Sequence, residues 1–193
     1  VVFVPVGLAY DRVLEDRILT AADQSGQRRF RGKPLAILGF TMRTLWRKLR
    51  GRFKGFGTAA AGFGAPLSLR KLHEAEPLAS FEMLAAQLMA AIEAVVPVLP
   101  VPLVAAALQG KPADRAALLQ AMRDLVARMQ VSGAVLKLPP QGVELGLAEG
   151  LAPLIARGLV WPNLMIAPEA EAVVAFYAAS VWQRLGDAAM PQT

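Results

Sequence analysis

The run Ala94-Val95-Val96-Pro97-Val98-Leu99-Pro100-Val101-Pro102-Leu103-Val104-Ala105-Ala106-Ala107-Leu108-Gln109-Gly110 lies between Glu93 and Lys111 and carries no charge. As a membrane span it would make the chain an integral protein; as core it makes a helical globular fold. A bilayer crossing takes about 20 apolar residues in one helix, and this run is shorter. Pro97, Pro100 and Pro102 would also leave carbonyls unpaired in lipid, where no water replaces the lost hydrogen bonds. The run therefore reads as a buried core helix entered through a proline-rich turn.

The flanks on the C-terminal side agree with a helical core. Leu78, Phe81, Leu84, Leu88, Ile92 and Val95 form a stripe at helical spacing over residues 77–96. Further helices are expected over 102–109, 114–129, 143–157 and 169–185, with a strand at 164–167. Toward the N-terminus the pattern changes. Residues 1–9 are apolar at both parities, as in a strand buried on both faces, and residues 11–22 suit a short helix. Pro34 and Gly51 bracket a helix in which Leu38, Met42, Leu45 and Leu49 share one face, with Arg43, Arg47 and Arg50 opposite. From Phe53 to Gly64 small residues and glycine alternate with phenylalanine, which suits a short strand closely approached by other backbone. The expected fold class is therefore α/β, with mixed structure over residues 1–72 and a mostly helical part over 73–193, divided near His73 to Pro77.

Composition narrows the chemistry. The chain has 193 residues, 55% of them hydrophobic, with no cysteine and one histidine. That is enough apolar material to offset chain entropy, so a disordered protein is excluded. Disulfides, thiolate metal sites, cysteine nucleophiles and histidine-rich metal cages are excluded by the residue counts. His73 sits beside Glu74 and Glu76 in a polar connector and reads as a surface residue. No G-x-S-x-G, phosphate-binding loop or carboxylate cluster is present, so no catalytic residue and no metal ligand is assigned.

The net charge of +6 is local: residues 28–54 hold ten basic residues and no acid, while the rest holds eleven basic and fifteen acidic residues. Arg43, Arg47 and Lys48 are the candidates for a phosphate- or lipid-facing patch. Three uses are open: phosphate-bearing ligands or an acidic carrier protein, an anionic lipid surface met by Trp46 and the apolar stripe, or nucleic acid. A fourth possibility is a helix whose stripe packs on its own domain while the arginines face water.

Val4-Pro5-Val6-Gly7-Leu8-Ala9-Tyr10-Asp11-Arg12 resembles the fourth conserved block of the glycerol-3-phosphate and dihydroxyacetone-phosphate acyltransferases, which reads roughly I-P-V-x-I-x-Y-[DE]. Gly32-Lys33-Pro34 resembles the G-K-P that follows it. Phe63-Gly64-Ala65-Pro66-Leu67-Ser68-Leu69 is similar to the F-G-x-P-x-S-L that closes that family's acyltransferase domain. Leu84-Ala85-Ala86-Gln87-Leu88-Met89 and Phe176-Tyr177 resemble landmarks of its C-terminal region. The motifs occur in family order through most of the chain.

The resemblance implies the C-terminal remnant of an αβ acyltransferase domain over residues 1–72, followed by a mostly helical C-terminal domain over 73–193. It implies transfer of a fatty acyl group from acyl-CoA or acyl carrier protein to the 1-hydroxyl of glycerol 3-phosphate in phospholipid synthesis. The acyl donor is a co-substrate and no further cofactor is implied. Pro5 and Tyr10, with Val6 and Asp11, fall where the family's fourth block borders the substrate pocket. Partners implied are glycerol 3-phosphate, the acyl donor and an anionic membrane surface rather than nucleic acid, at the cytoplasmic face of the inner membrane. The family's H-x-x-x-x-D, arginine-bearing and E-G-x-R blocks do not occur in this sequence, and the fifth residue after His73 is Leu78. Because the chain opens at Val1 inside a strand-like run, we expect the C-terminal piece of a longer polypeptide, inactive alone. The alternative is a non-catalytic membrane-surface or nucleic-acid-binding helical module.

Overall fold

A computed structural model describes residues 1–13, 57–75 and 80–186, together with Asp16, Leu19, Thr20, Met42, Leu45, Trp46, Leu49 and Arg50; the side chain of His73 is outside the description. The chain divides into two units, one made of Val1–Asp11 with Thr58–Thr193, the other of Arg12–Gly57.

In the first unit the N-terminal apolar run forms two strands, β1 (Val2–Phe3) and β2 (Val6–Tyr10). They pair antiparallel with β4 (Leu67–Ser68) and β3 (Ala59–Phe63) respectively. The pairs Phe3↔Leu67 and Val6↔Phe63 enclose Val4 and Pro5 on one side and Gly64, Ala65 and Pro66 on the other. The extra residue is a bulge, closed by the Gly64 N–H donating to the Pro5 carbonyl at 2.9 Å. Pro5, with no N–H to give, fits such an interruption.

Burial on both faces, expected from the β-branched composition, is not what forms. Pro5 and Gly7 are buried, whereas Val2, Val4, Val6, Leu8 and Tyr10 are exposed. A two-stranded antiparallel ribbon has one face on the core and one open, whatever its side chains.

Helix α1 (Leu69–Ala75) follows β4 directly. Helix α2 (Phe81–Val95) starts at Ser80, whose hydroxyl accepts from the Met83 N–H at 3.3 Å. Its stripe has the expected phase: Leu84, Leu88, Ile92 and Val95 are half-buried, though Phe81 is exposed and no residue of the helix is fully buried.

Helix α3 (Pro100–Gln109) is the uncharged run, and every residue from Pro100 to Leu108 is buried. Pro100 occupies the helix start, where a missing N–H costs nothing. Around α3 pack α4 (Arg115–Val131), α5 (Val143–Ala156) and α6 (Glu171–Leu185). Asp114 caps α4 by accepting from the Ala117 N–H at 2.8 Å, and Leu118, Met122, Leu125, Val126 and Met129 form its buried face. Helix α5 crosses α3 closely at Gly150, where a β-carbon would lie 2.6 Å from the Pro100 carbonyl oxygen. Val173, Val174, Tyr177, Ala178, Val181 and Trp182 are the buried face of α6, and the Trp182 indole donates to Gln109 Oε1 at 2.6 Å. The strand expected at 164–167 reduces to one antiparallel bridge, Val160↔Ile166, across a tight turn.

In the second unit, Asp16, Leu19 and Thr20 are helical, with the Thr20 hydroxyl donating to the Asp16 carbonyl at 2.8 Å. Met42, Leu45, Trp46 and Leu49 are also helical, as the stripe between Pro34 and Gly51 predicts.

Candidate functional site

The β2–β3 register is Val6↔Phe63, Gly7↔Gly62, Leu8↔Ala61, Ala9↔Ala60 and Tyr10↔Ala59. Alternation along each strand sends Gly7, Ala9, Ala60 and Gly62 to one face, and Val6, Leu8, Tyr10, Ala59, Ala61 and Phe63 to the other. The first face lies on the C-terminal end of α2. A β-carbon on Gly62 would stand 1.9 Å from the Val95 carbonyl oxygen, and one on Gly7 would stand 2.6 Å from the backbone of Val96. Two glycines paired across the ladder thus let helix backbone rest on strand backbone. The close approach expected of the glycine-rich segment is met at Gly62.

The opposite face is open. Val6 is 41% exposed, Leu8 57%, Tyr10 53% and Phe63 73%. Of the four positions that the resemblance assigns to a substrate pocket, Val6 and Tyr10 share this apolar face. Pro5 is buried at the bulge.

Asp11 has a different environment. Its N–H donates to the Thr58 carbonyl at 2.9 Å, extending the ladder by one step. Its carboxylate accepts from the Val101 N–H at 3.2 Å and from Thr58. Leu99, at the α3 N-cap, has no side chain able to cap, so Asp11 caps α3 from a distance of 90 residues in sequence. Burial pushes the Asp11 carboxyl above the ordinary aspartate range; hydrogen bonds from Val101 and Thr58 oppose the rise, and the charge of Glu149 adds to it. A carboxylate at a helix N-terminus also meets the positive end of the helix dipole.

A third anchor closes the region. Arg184, near the end of α6, donates to the carbonyls of Glu93 and, at 3.1 Å, Val96. The Glu93 carbonyl also accepts from the Val96 N–H at 3.2 Å, so Arg184 adds a second donor there, and a cation at this end suits the dipole. Phe63 and Leu8 lie within the motifs without being assigned to the site, and Thr58 and Arg184 lie in none of them. Only the parity of β2 and the glycines of β3 offered a signal for the first three.

Chemically, the described residues offer an apolar strand face bordered by a half-buried carboxylate. Among them no group of three or more histidine, aspartate or glutamate side chains is placed to hold a metal ion. Arg43, Arg47 and Lys48, and the Gly32-Lys33-Pro34 motif, lie outside the described residues. Comparison with models of known protein families and with curated proteins finds no match.

Proposed function

We propose that this chain is part of a glycerol-3-phosphate 1-O-acyltransferase, taking its acyl group from acyl-CoA or acyl carrier protein and working peripherally at the cytoplasmic face of the inner membrane. The observation that carries this reading is the open apolar face of β2. Val6 and Tyr10, which the resemblance places beside the substrate, are available to a ligand instead of being consumed by the core. An acyl chain is the kind of group such a face accommodates. Supporting it is the order of the motifs, from Val4–Arg12 through Gly32–Pro34 to Phe63–Leu69. Among the described residues no helix is long and apolar enough to cross a membrane, which is compatible with a peripheral protein.

In this reading Asp11 positions rather than reacts, because its carboxylate is engaged by α3. The hydroxyl of glycerol 3-phosphate is activated by a histidine–aspartate pair carried elsewhere in the complete polypeptide, a general acid–base strategy. The nucleic-acid alternative is weakened by α5, which carries Glu144 and Glu149 and no basic residue, so it would repel the phosphates that dominate such binding.

The test begins with the coding sequence upstream of Val1. An in-frame H-x-x-x-x-D followed by arginine-bearing and E-G-x-R blocks is expected. The complete polypeptide should then release coenzyme A from acyl-CoA only with glycerol 3-phosphate present. An unrelated domain upstream, or release that ignores glycerol 3-phosphate, would overturn the reading.

A further inference from the structure

In the second unit, helical positions 42, 45, 46 and 49 hold Met42, Leu45, Trp46 and Leu49. Their spacing places all four on one side of a helix. A stripe of this kind ordinarily packs on its own domain. Here it does not: Met42 is 61% exposed, Leu45 51%, Trp46 59% and Leu49 78%. The Arg50 guanidinium lies 4.5 Å from the centre of the Trp46 ring, a cation–π arrangement. This uncovered face lies in the segment that carries ten basic residues and no acid.

We infer that this helix lies in the plane of an anionic bilayer, with Leu45 and Leu49 among the acyl chains and Trp46 at the headgroup boundary. Three observations select a lipid surface as the occupant. The four described residues are apolar and exposed, the kind of surface that an acyl-chain layer buries. An acid-free basic segment is attracted to a negatively charged surface, and a bilayer rich in phosphatidylglycerol supplies one. A tryptophan with an arginine against its ring is suited to an interface where one side is apolar and the other wet. The inference names the membrane-contacting element of the acyltransferase reading and rests on that reading only for its biological setting.

The test is co-sedimentation of the full chain with vesicles of phosphatidylglycerol and phosphatidylethanolamine, in parallel with vesicles of phosphatidylcholine. Binding to the anionic vesicles is expected, falling at least about tenfold when Leu45→Glu and Leu49→Glu are combined, because two buried leucines become charges. Both positions are exposed, so the double variant should keep the parent's thermal transition. Lipids brominated near the headgroup should quench tryptophan emission of the parent, and Trp46→Phe should abolish that quenching while leaving binding in place. Equal binding to phosphatidylcholine overturns the anionic surface; unchanged binding of the double variant, or undiminished quenching in Trp46→Phe, overturns the assignment of the helix. A dimer that forms without lipid and dissociates in the double variant makes a second copy the occupant and also overturns it. The vesicles contain no acyl donor and no glycerol 3-phosphate, so failure here is separable from failure of acyl transfer by the complete polypeptide in detergent micelles.

Discussion

Asp11 ties the first strand pair to the buried helix α3 through one carboxylate, and replacing it separates two contributions. Asp11→Ala leaves the Val101 N–H without a side-chain acceptor and is expected to lower stability by about 1 kcal/mol, the usual worth of a helix cap. Asp11→Asn keeps an acceptor and loses only the charge. Its carboxyl is held above its unfolded value, so between those two values the folded state holds more of the proton. Stability conferred by the protonated carboxyl is then lost as pH rises through that window. Urea midpoints measured across mildly acidic pH should slope downward more steeply for the parent than for Asp11→Asn; parallel slopes would remove Asp11 from the account. The sequence marked Asp11 through its place beside Tyr10 in a motif. That its oxygen reaches Val101 was illegible, because nothing in local sequence encodes a contact across 90 residues.

At the scale of elements, the β2–β3 pair depends on two glycines for different reasons than flexibility. Gly62→Ala would force a β-carbon against the Val95 carbonyl at 1.9 Å, and neither partner is the flexible end of a side chain. The expected loss is about 3 kcal/mol, at the upper end of overpacking costs. Gly133→Ala is the control: its backbone is left-handed, with φ of 73°, and nothing lies within 4 Å of the added carbon. It should cost only about 1 kcal/mol. Denaturant melts that rank the two equally would contradict the close packing of strand on helix. Helices were the legible elements. The stripe of α2 and the proline entry to α3 announced those helices and nearly their ends, because a 3.6-residue period needs no knowledge of the partner. The N-terminal strands were half-legible. Their β-branched residues announced a strand, but the side left open depends on which element covers it, and that element is α2.

For the whole molecule, α3 is the element on which the helical core is assembled. Leu103 is fully buried at its centre, so Leu103→Ala should cost about 3 kcal/mol through lost transfer energy and an unfilled cavity. A loss under about 1 kcal/mol would mean that α4, α5 and α6 close over the gap. Arg184 acts at the same scale by tying α6 to the end of α2. Arg184→Met keeps much of the apolar stem and removes the donors to Glu93 and Val96. Hydrogen exchange should then accelerate in β2 and β3, which rest on that end of α2, while α3 and α4 stay protected. Uniform acceleration would instead show a single cooperative unit. The division into Val1–Asp11 with Thr58–Thr193 on one side and Arg12–Gly57 on the other was not evident in the composition. It is set by an antiparallel pairing that brings the ends of an intervening segment together.

That same pairing, with the remote cap on α3, sets a timetable for synthesis. The ribosome makes β2 first, then the whole of residues 12–57 before β3, and the α3 N-terminus only 90 residues after Asp11. At an elongation rate of about 5 to 20 residues per second the first strand waits about 5 to 20 s for the helix it will cap. Through that interval the face of β2 that carries Gly7 and Ala9 travels on a nascent chain with neither β3 nor the end of α2 to rest on. Synonymous codon choice between Arg12 and Val101 therefore acts directly on how long an adhesive strand must be kept from its neighbours on the polysome.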